Sequence, residues 1–334
     1  MNYIGSKSKL SGFIKSTIYK VVGNDLSDKI FCDLFAGTGI VGRNFKQEVQ
    51  QVISNDLEYY SYVLNRNYIE NNAPISDVET LIEILNNLSS LKGFIYKNYC
   101  HGGHGDRQYF SDENGQLIDA IRTKIEDWKD AEKINEDTYY FLLASLLESA
   151  DKVANTASVY GAYLKHIKKS ASKKLILKAA DFTIHKNKSI VFNQDSNQLI
   201  KEIKGDILYL DPPYNARQYG ANYHILNTIA KYDTFVPKGK TGLRDYNKSK
   251  YCSKLTVKNE FEDLIKNAQF NYIFLSYNNE GLLSVADVEN IMKKYGKYSL
   301  ASTDYRRFKA DKTANRNHKA TKTEEYLHIL EKTI

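Results

Sequence analysis

The chain has 334 residues, enough for one large domain or two ordinary ones with a substantial core, and it needs no covalent staples to fold. Lys and Arg number 47 against 40 Asp and Glu, a net charge of +7, which argues against an acidic, solvating chain and leaves a polyanionic partner open. Three widely spaced cysteines, Cys32, Cys100 and Cys252, argue against a disulfide framework, and the sequence lacks both a signal-peptide-like start and an apolar run of bilayer length, so the expectation is a soluble, cytoplasmic protein with no membrane contact.

The first elements alternate as half of an α/β fold does. "KLSGFIKSTIYKVV" predicts a helix, "KIFCDLF" a strand, "AGTGIVG" a Gly-rich turn opening a helix from about Gly39, and "QQVISND" a second strand. From about Tyr60 to Lys178 helical spacing dominates, in "DVETLIEILNNLS", "NGQLIDAIRTKIEDWK" and "EDTYYFLLASLLESADKVAN". Strands return with "SIVFNQD", "DILYLDPPY", "NYIFLSYNN" and "EEYLHILE". The expected organisation is an α/β sheet domain made of residues 1–59 and 180–334, interrupted by a mainly helical insertion at 60–179.

Within the insertion, "CHGGHGDRQYF" brings Cys100, His101 and His104 together, but a structural zinc wants four ligands and no fourth stands nearby. No metal is expected, and the glycines predict a flexible loop with Arg107 and Tyr109 at a nucleic-acid surface. "KHIKKSASKKLILK", Lys165 to Lys178, contains no acid, and two further basic stretches run from Lys238 to Lys258 and from Arg306 to Lys322. Basic segments with tyrosines among them suit phosphates, whose neutralisation releases counterions. A lysine-rich solvated surface is the alternative for any one of them.

The chemistry concentrates at two strand ends. In "GDILYLDPPYNARQY" the apolar run Ile207–Leu210 predicts a buried strand, and Pro212 and Pro213, two of the chain's four prolines, must end it because neither can donate a ladder hydrogen bond. Asp211 to Tyr214 therefore lie at a strand's C-terminal end, where open parallel sheets bind ligands. At the earlier strand end, Gly37, Gly39 and Gly42 form G-x-G-x-x-G, and Asp56 follows the next strand. That pattern suits a nicotinamide, a flavin or any other adenosine-containing cofactor. Asp33 tips the choice, since it would repel a pyrophosphate but attract the ammonium of a methionine moiety, which points to S-adenosylmethionine.

"YIGSK" (Tyr3 to Lys7), "DLFAGTG" (Asp33 to Gly39), "ND" (Asn55, Asp56), the acid Asp195 and "DPPY" occur in the order of the Dam-like, class alpha adenine-N6 DNA methyltransferases, which the chain resembles over nearly its whole length. "RQYFSDENGQLIDAIR", "NYHILNTIAKYD" and "FLSYNNEGLLS" are similar to the subset that accompanies restriction systems. One departure is Ser6, where many of these enzymes have a second Gly. The resemblance implies a Rossmann-like, S-adenosylmethionine-dependent methyltransferase sheet with a helical target-recognition insertion. It implies duplex DNA as substrate and a cognate restriction endonuclease as a possible partner.

The resemblance also assigns roles. Asp211 and the Pro212 carbonyl accept the two hydrogens of the adenine amino group, Pro213 stiffens the turn, and Tyr214 stacks on the extruded base. Asp33 and the backbone through Gly37 and Gly39 hold the methionine end of the cofactor, beside Phe35. Asp56 takes the ribose hydroxyls and Asp195 the cofactor's adenine amino group, while Tyr3 and Lys7 flank cofactor and active site, a phosphate contact being the alternative for Lys7, and Asp211 also belongs to the cofactor-binding set. Tyr277 and Asn278 are candidates for the base pocket. Candidate DNA contacts are Arg107, Lys168, Lys169, Lys173, Lys174, Arg217 and Lys248. An RNA amino methyltransferase and a non-catalytic DNA-binding protein of the same fold are the competing readings.

Overall fold

A computed structural model describes residues 7–306 and 322–333. Tyr3 and most of the basic stretch from Arg306 to Lys322 lie outside them. The described chain divides into two compact units, each discontinuous in sequence. One gathers the residues up to Leu57, His185–Gln218 and those from Asn247 on; the other gathers Glu58–Ile184 and Tyr219–Tyr246.

The first unit is built on a seven-stranded sheet. Its strands are β1 (Ile30–Asp33), β2 (Gln51–Asn55), β3 (Ile190–Phe192), β4 (Lys204–Leu210), β5 (Gln269–Asn278), β6 (Gly296–Arg306) and β7 (Lys322–Lys332), in the order β3-β2-β1-β4-β5-β7-β6. The strands from β1 to β5 run parallel, and β7 is antiparallel to both its neighbours. Covered on both faces, the central strands read as unbroken apolar runs: Phe31, Cys32 and Ile207 to Leu210 are fully buried. Phe261, Leu264 and Ile265 of the helix Val257–Asn267 pack with Ile273 and Leu275 of β5 and with Val288 and Met292 of the helix Val285–Met292 in one core. That last helix starts on a reciprocal Ser284–Asp287 capping box. The chain runs outward from β1 to β3 and returns with β4 on the other side of β1, so the order reverses between β1 and β4. Crevices open at such reversals, beyond the carboxyl ends of the strands.

The sequence pattern does not predict strand β6. None of its residues from Gly296 to Asp304 is buried, and at the sheet's edge it carries polar residues without the apolar alternation that marks a half-buried strand.

The second unit is helical. Helices span Tyr59–Asn65, Val78–Asn86, Phe94–Tyr99, Asp112–Asp130, Glu136–Val153 and His224–Lys231. The two long ones are capped by Ser111 and Asn135, which accept from the amides of Asn114 and Thr138. The division differs from the expected boundaries, because Tyr219–Tyr246 is part of this unit. Buried Arg122 donates to the carbonyls of Ile229 and Ala230, each at 3.1 Å, and so satisfies the end of the helix His224–Lys231. Asn227 Oδ1 accepts from the Tyr60 amide at 2.9 Å. The expected helical character also stops early, since residues 154–189 form neither helix nor strand. There the backbone is satisfied by side chains instead: the amides of Leu175, Leu177 and Ala180 donate to Asn114, Asn86 and Ser145.

Candidate active site

Asp211 is the first residue beyond β4, and the prolines after it stop the ladder. Its Oδ1 receives Lys7 Nζ at 2.9 Å; the lysine side chain is 6% exposed and the carboxylate 18%. Burial works against the lysine's charge, but Asp211, Glu325 and Tyr214 outweigh it and push the ammonium up to about 12, so it stays protonated. Burial raises the Asp211 carboxyl above the usual range, and Lys7 offsets part of that rise.

Tyr214 is half-buried. Its ring lies 5.8 Å from Lys7 Nζ and edge-on to Tyr277 at 6.3 Å. Its carbonyl accepts from the Leu282 amide at 2.9 Å, and the Leu283 amide donates to the Tyr277 hydroxyl at 3.3 Å, which ties the loop after β5 against the tetrapeptide. Gly281 is required there: a Cβ on it would stand 2.0 Å from the Tyr277 ring. Tyr277 is buried, and Asn278 accepts from the Glu280 amide and hydrogen-bonds with Glu325.

Across the order reversal, Asp33 ends β1 with 1% exposure. The Gly42 amide donates to its Oδ2 at 3.1 Å, while Oδ1 is buried without a partner among the described residues. Burial first, then the negative charges of Asp211 and Asp56, push this carboxyl up to about 8 against the help of the Gly42 amide. An unpartnered buried carboxylate oxygen is costly unless a donor or cation comes to it. Gly37 and Gly39 have φ of 52° and 73°, the left-handed region that admits glycine cheaply, and the Gly37 amide donates to Asp56 Oδ2 at 2.8 Å. Asn55 binds the strand ends together, donating to the carbonyls of Leu34 and Gln194 and accepting from the Gln194 amide. Phe35 is half-buried and meets Tyr251 edge-on at 5.2 Å. Asp195 Oδ1 caps the helix Ser196–Leu199 through the amides of Asn197 and Gln198.

The basic candidates separate by environment. Lys169, Lys173, Lys174, Arg217 and Lys248 are exposed. Lys168 is half-buried and its Nζ donates to the Thr156 carbonyl at 2.7 Å. Arg107 spends its guanidinium on the carbonyls of Asn98, Gly239 and Lys240. Tyr109, expected at a nucleic-acid surface, is fully buried, with its hydroxyl on the Tyr160 carbonyl. Cys100 is buried against the carbonyls of Ile95 and Ser111, and His101 pairs with Asp106.

Residues 3–325 match the D12 class N6 adenine-specific DNA methyltransferases. The chain belongs to this family. It is 66% identical over 334 residues to the type II methyltransferase M.NlaIII of Neisseria lactamica, with all of both chains covered. It is 40% identical to the type II methyltransferase M.CviAII of Paramecium bursaria Chlorella virus 1, covering 99% of this chain and 98% of the relative. To M.FokI of Planomicrobium okeanokoites it is 41% identical, over all of this chain and 53% of that protein. The chain is thus an adenine-specific DNA methyltransferase, and the RNA and non-catalytic readings fall away.

The methyltransferase's sequence discloses one neighbour of Asp211 and misses another. Lys7, from the YIGSK motif, stands at the active site as expected, whereas Glu325 comes from a strand that carries none of the recognised motifs, and only the fold brings it toward the β4 terminus.

Proposed function

We propose that this methyltransferase transfers a methyl group from S-adenosylmethionine to N6 of an adenine extruded from duplex DNA, as the modification half of a type II restriction system in the cytoplasm. One observation carries the reading: Asp211 and the prolines after it stand at the β4 terminus, next to the unpartnered carboxylate oxygen of Asp33 at the terminus of β1. The residues fit the cofactor. Asp33 Oδ1 lacks the donor that an amino-acid ammonium would provide, and the turn at Gly37 and Gly39 bears no side chain to block the approach. Asp56 takes the ribose hydroxyls, and Phe35 packs alongside. When bound, the cofactor supplies an electrophilic methyl on a sulfonium.

The adenine amino nitrogen is a poor nucleophile because its lone pair is delocalised into the ring. Asp211 and the Pro212 carbonyl accept its two hydrogens, favour a pyramidal nitrogen and aim the lone pair. Tyr214 offers a ring on which the extruded base stacks. Positioning and electrostatics do the work, with no covalent enzyme intermediate. The helical unit, with its exposed lysines near Lys173, is the proposed target-recognition region, and a cognate endonuclease is the proposed partner.

The test is incubation of the purified protein with methyl-labelled cofactor and unmethylated duplex DNA, with the products digested to nucleosides and resolved. N6-methyl-2′-deoxyadenosine should carry the label, and Asp211→Ala should abolish it in a protein that circular dichroism shows to be folded. Label in cytosine, or normal turnover by the folded variant, would overturn the reading.

A further inference from the structure

A third charged side chain stands at the Lys7–Asp211 pair. Glu325 of β7 is 8% exposed and lies directly opposite Asn278, the last residue of β5. Strand register pairs Tyr209 with Phe274 and Phe274 with Ile329. By alternation, Tyr209, Phe274, Ser276, Asn278, Leu327 and Glu325 share one face, and Asp211 follows Tyr209 by two residues. Lys7 reaches this face from the helical turn Lys7–Leu10, in contact with Asp211 and within the field of Glu325. Asn278 holds Glu325 by a hydrogen bond.

We propose that Glu325 is a positioning residue for methyl transfer, sharing the Lys7 ammonium with Asp211 and leaving the β4 terminus with a net negative charge. The inference rests on the reading of Asp211 as the acceptor of the adenine amino group. Lys7 and Asp211 alone cancel; Glu325, whose carboxyl burial and Asp211 raise above the usual range while Lys7 and Asn278 pull it back, leaves one negative charge over once ionised. As N6 attacks, its lone pair forms the new N–C bond and the C–S pair leaves with sulfur. The nitrogen then carries positive charge until one of its protons passes to Asp211. A negative cluster stabilises that developing charge, and a neutral pair does not. Sharing also keeps Asp211 from being fully matched by Lys7, so its carboxylate remains a strong acceptor. Among the described residues, the other titratable groups around the Lys7–Asp211 pair are Asp33 from β1, Tyr209 from β4 itself and Tyr214 from the following loop; burial holds the Tyr209 phenol neutral.

The experiment compares wild type, Glu325→Gln, Glu325→Asp and Lys7→Met in single-turnover methylation of duplex DNA across pH, with cofactor binding and melting temperature measured on each. Glu325→Gln should lower the rate constant about tenfold with cofactor affinity within about twofold. Its acid limb should move to lower pH, because Lys7 then acts on Asp211 alone. Lys7→Met should move the limb the opposite way. Glu325→Asp, which keeps the charge, should recover most of the rate, and it stands in if the Gln variant fails to fold. An unchanged rate in Glu325→Gln, or a lower rate with an unmoved acid limb, would overturn the proposal. So would a Glu325→Asp enzyme as slow as the Gln variant. If wild type itself puts no methyl on adenine, the functional reading fails instead, and the two failures are distinguishable.

Discussion

Asp33→Asn tests the cofactor site through a proton. In the free protein burial pushes the Asp33 carboxyl up to about 8, so near neutrality it is mostly protonated. An ammonium bound at Oδ1 requires the ionised form. Binding below that range must therefore expel a proton, and affinity falls by up to tenfold for each pH unit. An α-amino group titrates at about 7.7 to 8.0, so the ligand stays largely cationic up to about pH 7.5. Between about pH 7.5 and about pH 6 the two titrations together predict a loss of about 20-fold, or about 1.8 kcal/mol. Calorimetry with S-adenosylhomocysteine, in two buffers of different ionisation enthalpy, reads the affinity and the proton together. Near pH 6 about one proton should leave per ligand bound. Asp33→Asn should bind more weakly near pH 7.5 and lose both the slope and the proton. For stability the sign is opposite. The native carboxyl keeps a proton that the unfolded chain releases above about pH 4, so the cost of burying it grows as pH rises toward about 8. The Asn variant should flatten that part of the melting-temperature profile. Equal affinities at the two pH values, with heats independent of buffer, would refute the assignment of Asp33.

Tyr214→Ala should slow single-turnover methylation by about 1–3 kcal/mol through lost base stacking, with Tyr214→Phe milder; equal rates for all three proteins would remove the stacking role. Replacing the exposed Lys169, Lys173 and Lys174 with Gln should weaken cognate and random duplexes by similar factors and reduce the log–log salt slope by about 0.9 for each phosphate no longer neutralised. An unchanged slope would make them plain solvated lysines. Lys168 belongs outside that set, because its bond to the Thr156 carbonyl makes its removal a stability effect. Arg107→Ala should cost about 2 kcal/mol in denaturant unfolding, since three carbonyls lose a charged donor, and should leave the salt slope unaltered. A flattened slope with full stability would restore Arg107 as a DNA contact.

What can be read from the sequence follows the range of the forces involved. Asp211 to Tyr214 are legible because an apolar run and two prolines fix a strand end locally, and the Gly-rich turn is legible because positive φ at Gly37 and Gly39 leaves a compositional mark. Strand β6 is not, because an edge strand with no buried residue from Gly296 to Asp304 writes no apolar alternation there. The membership of Tyr219–Tyr246 depends on hydrogen bonds such as that of Asn227 with the Tyr60 amide, 167 residues apart, and nothing in the local pattern announces a partner that distant. Irregular chain at residues 154–189 reads as helix in part because its leucines suggest a packed face; in fact Leu175 and Leu177 are buried while Ile176 between them is exposed, an alternation that belongs to extended backbone. The site divides in the same way. Each motif announces its own charged group, Lys7 of YIGSK included, but the pairing of Lys7 with Asp211 and the presence of Glu325 beside them join opposite ends of the sequence. Electrostatics at an active site is a property of tertiary neighbours, so the chemistry of Asp211 is readable from the chain while the forces that tune it come from the fold.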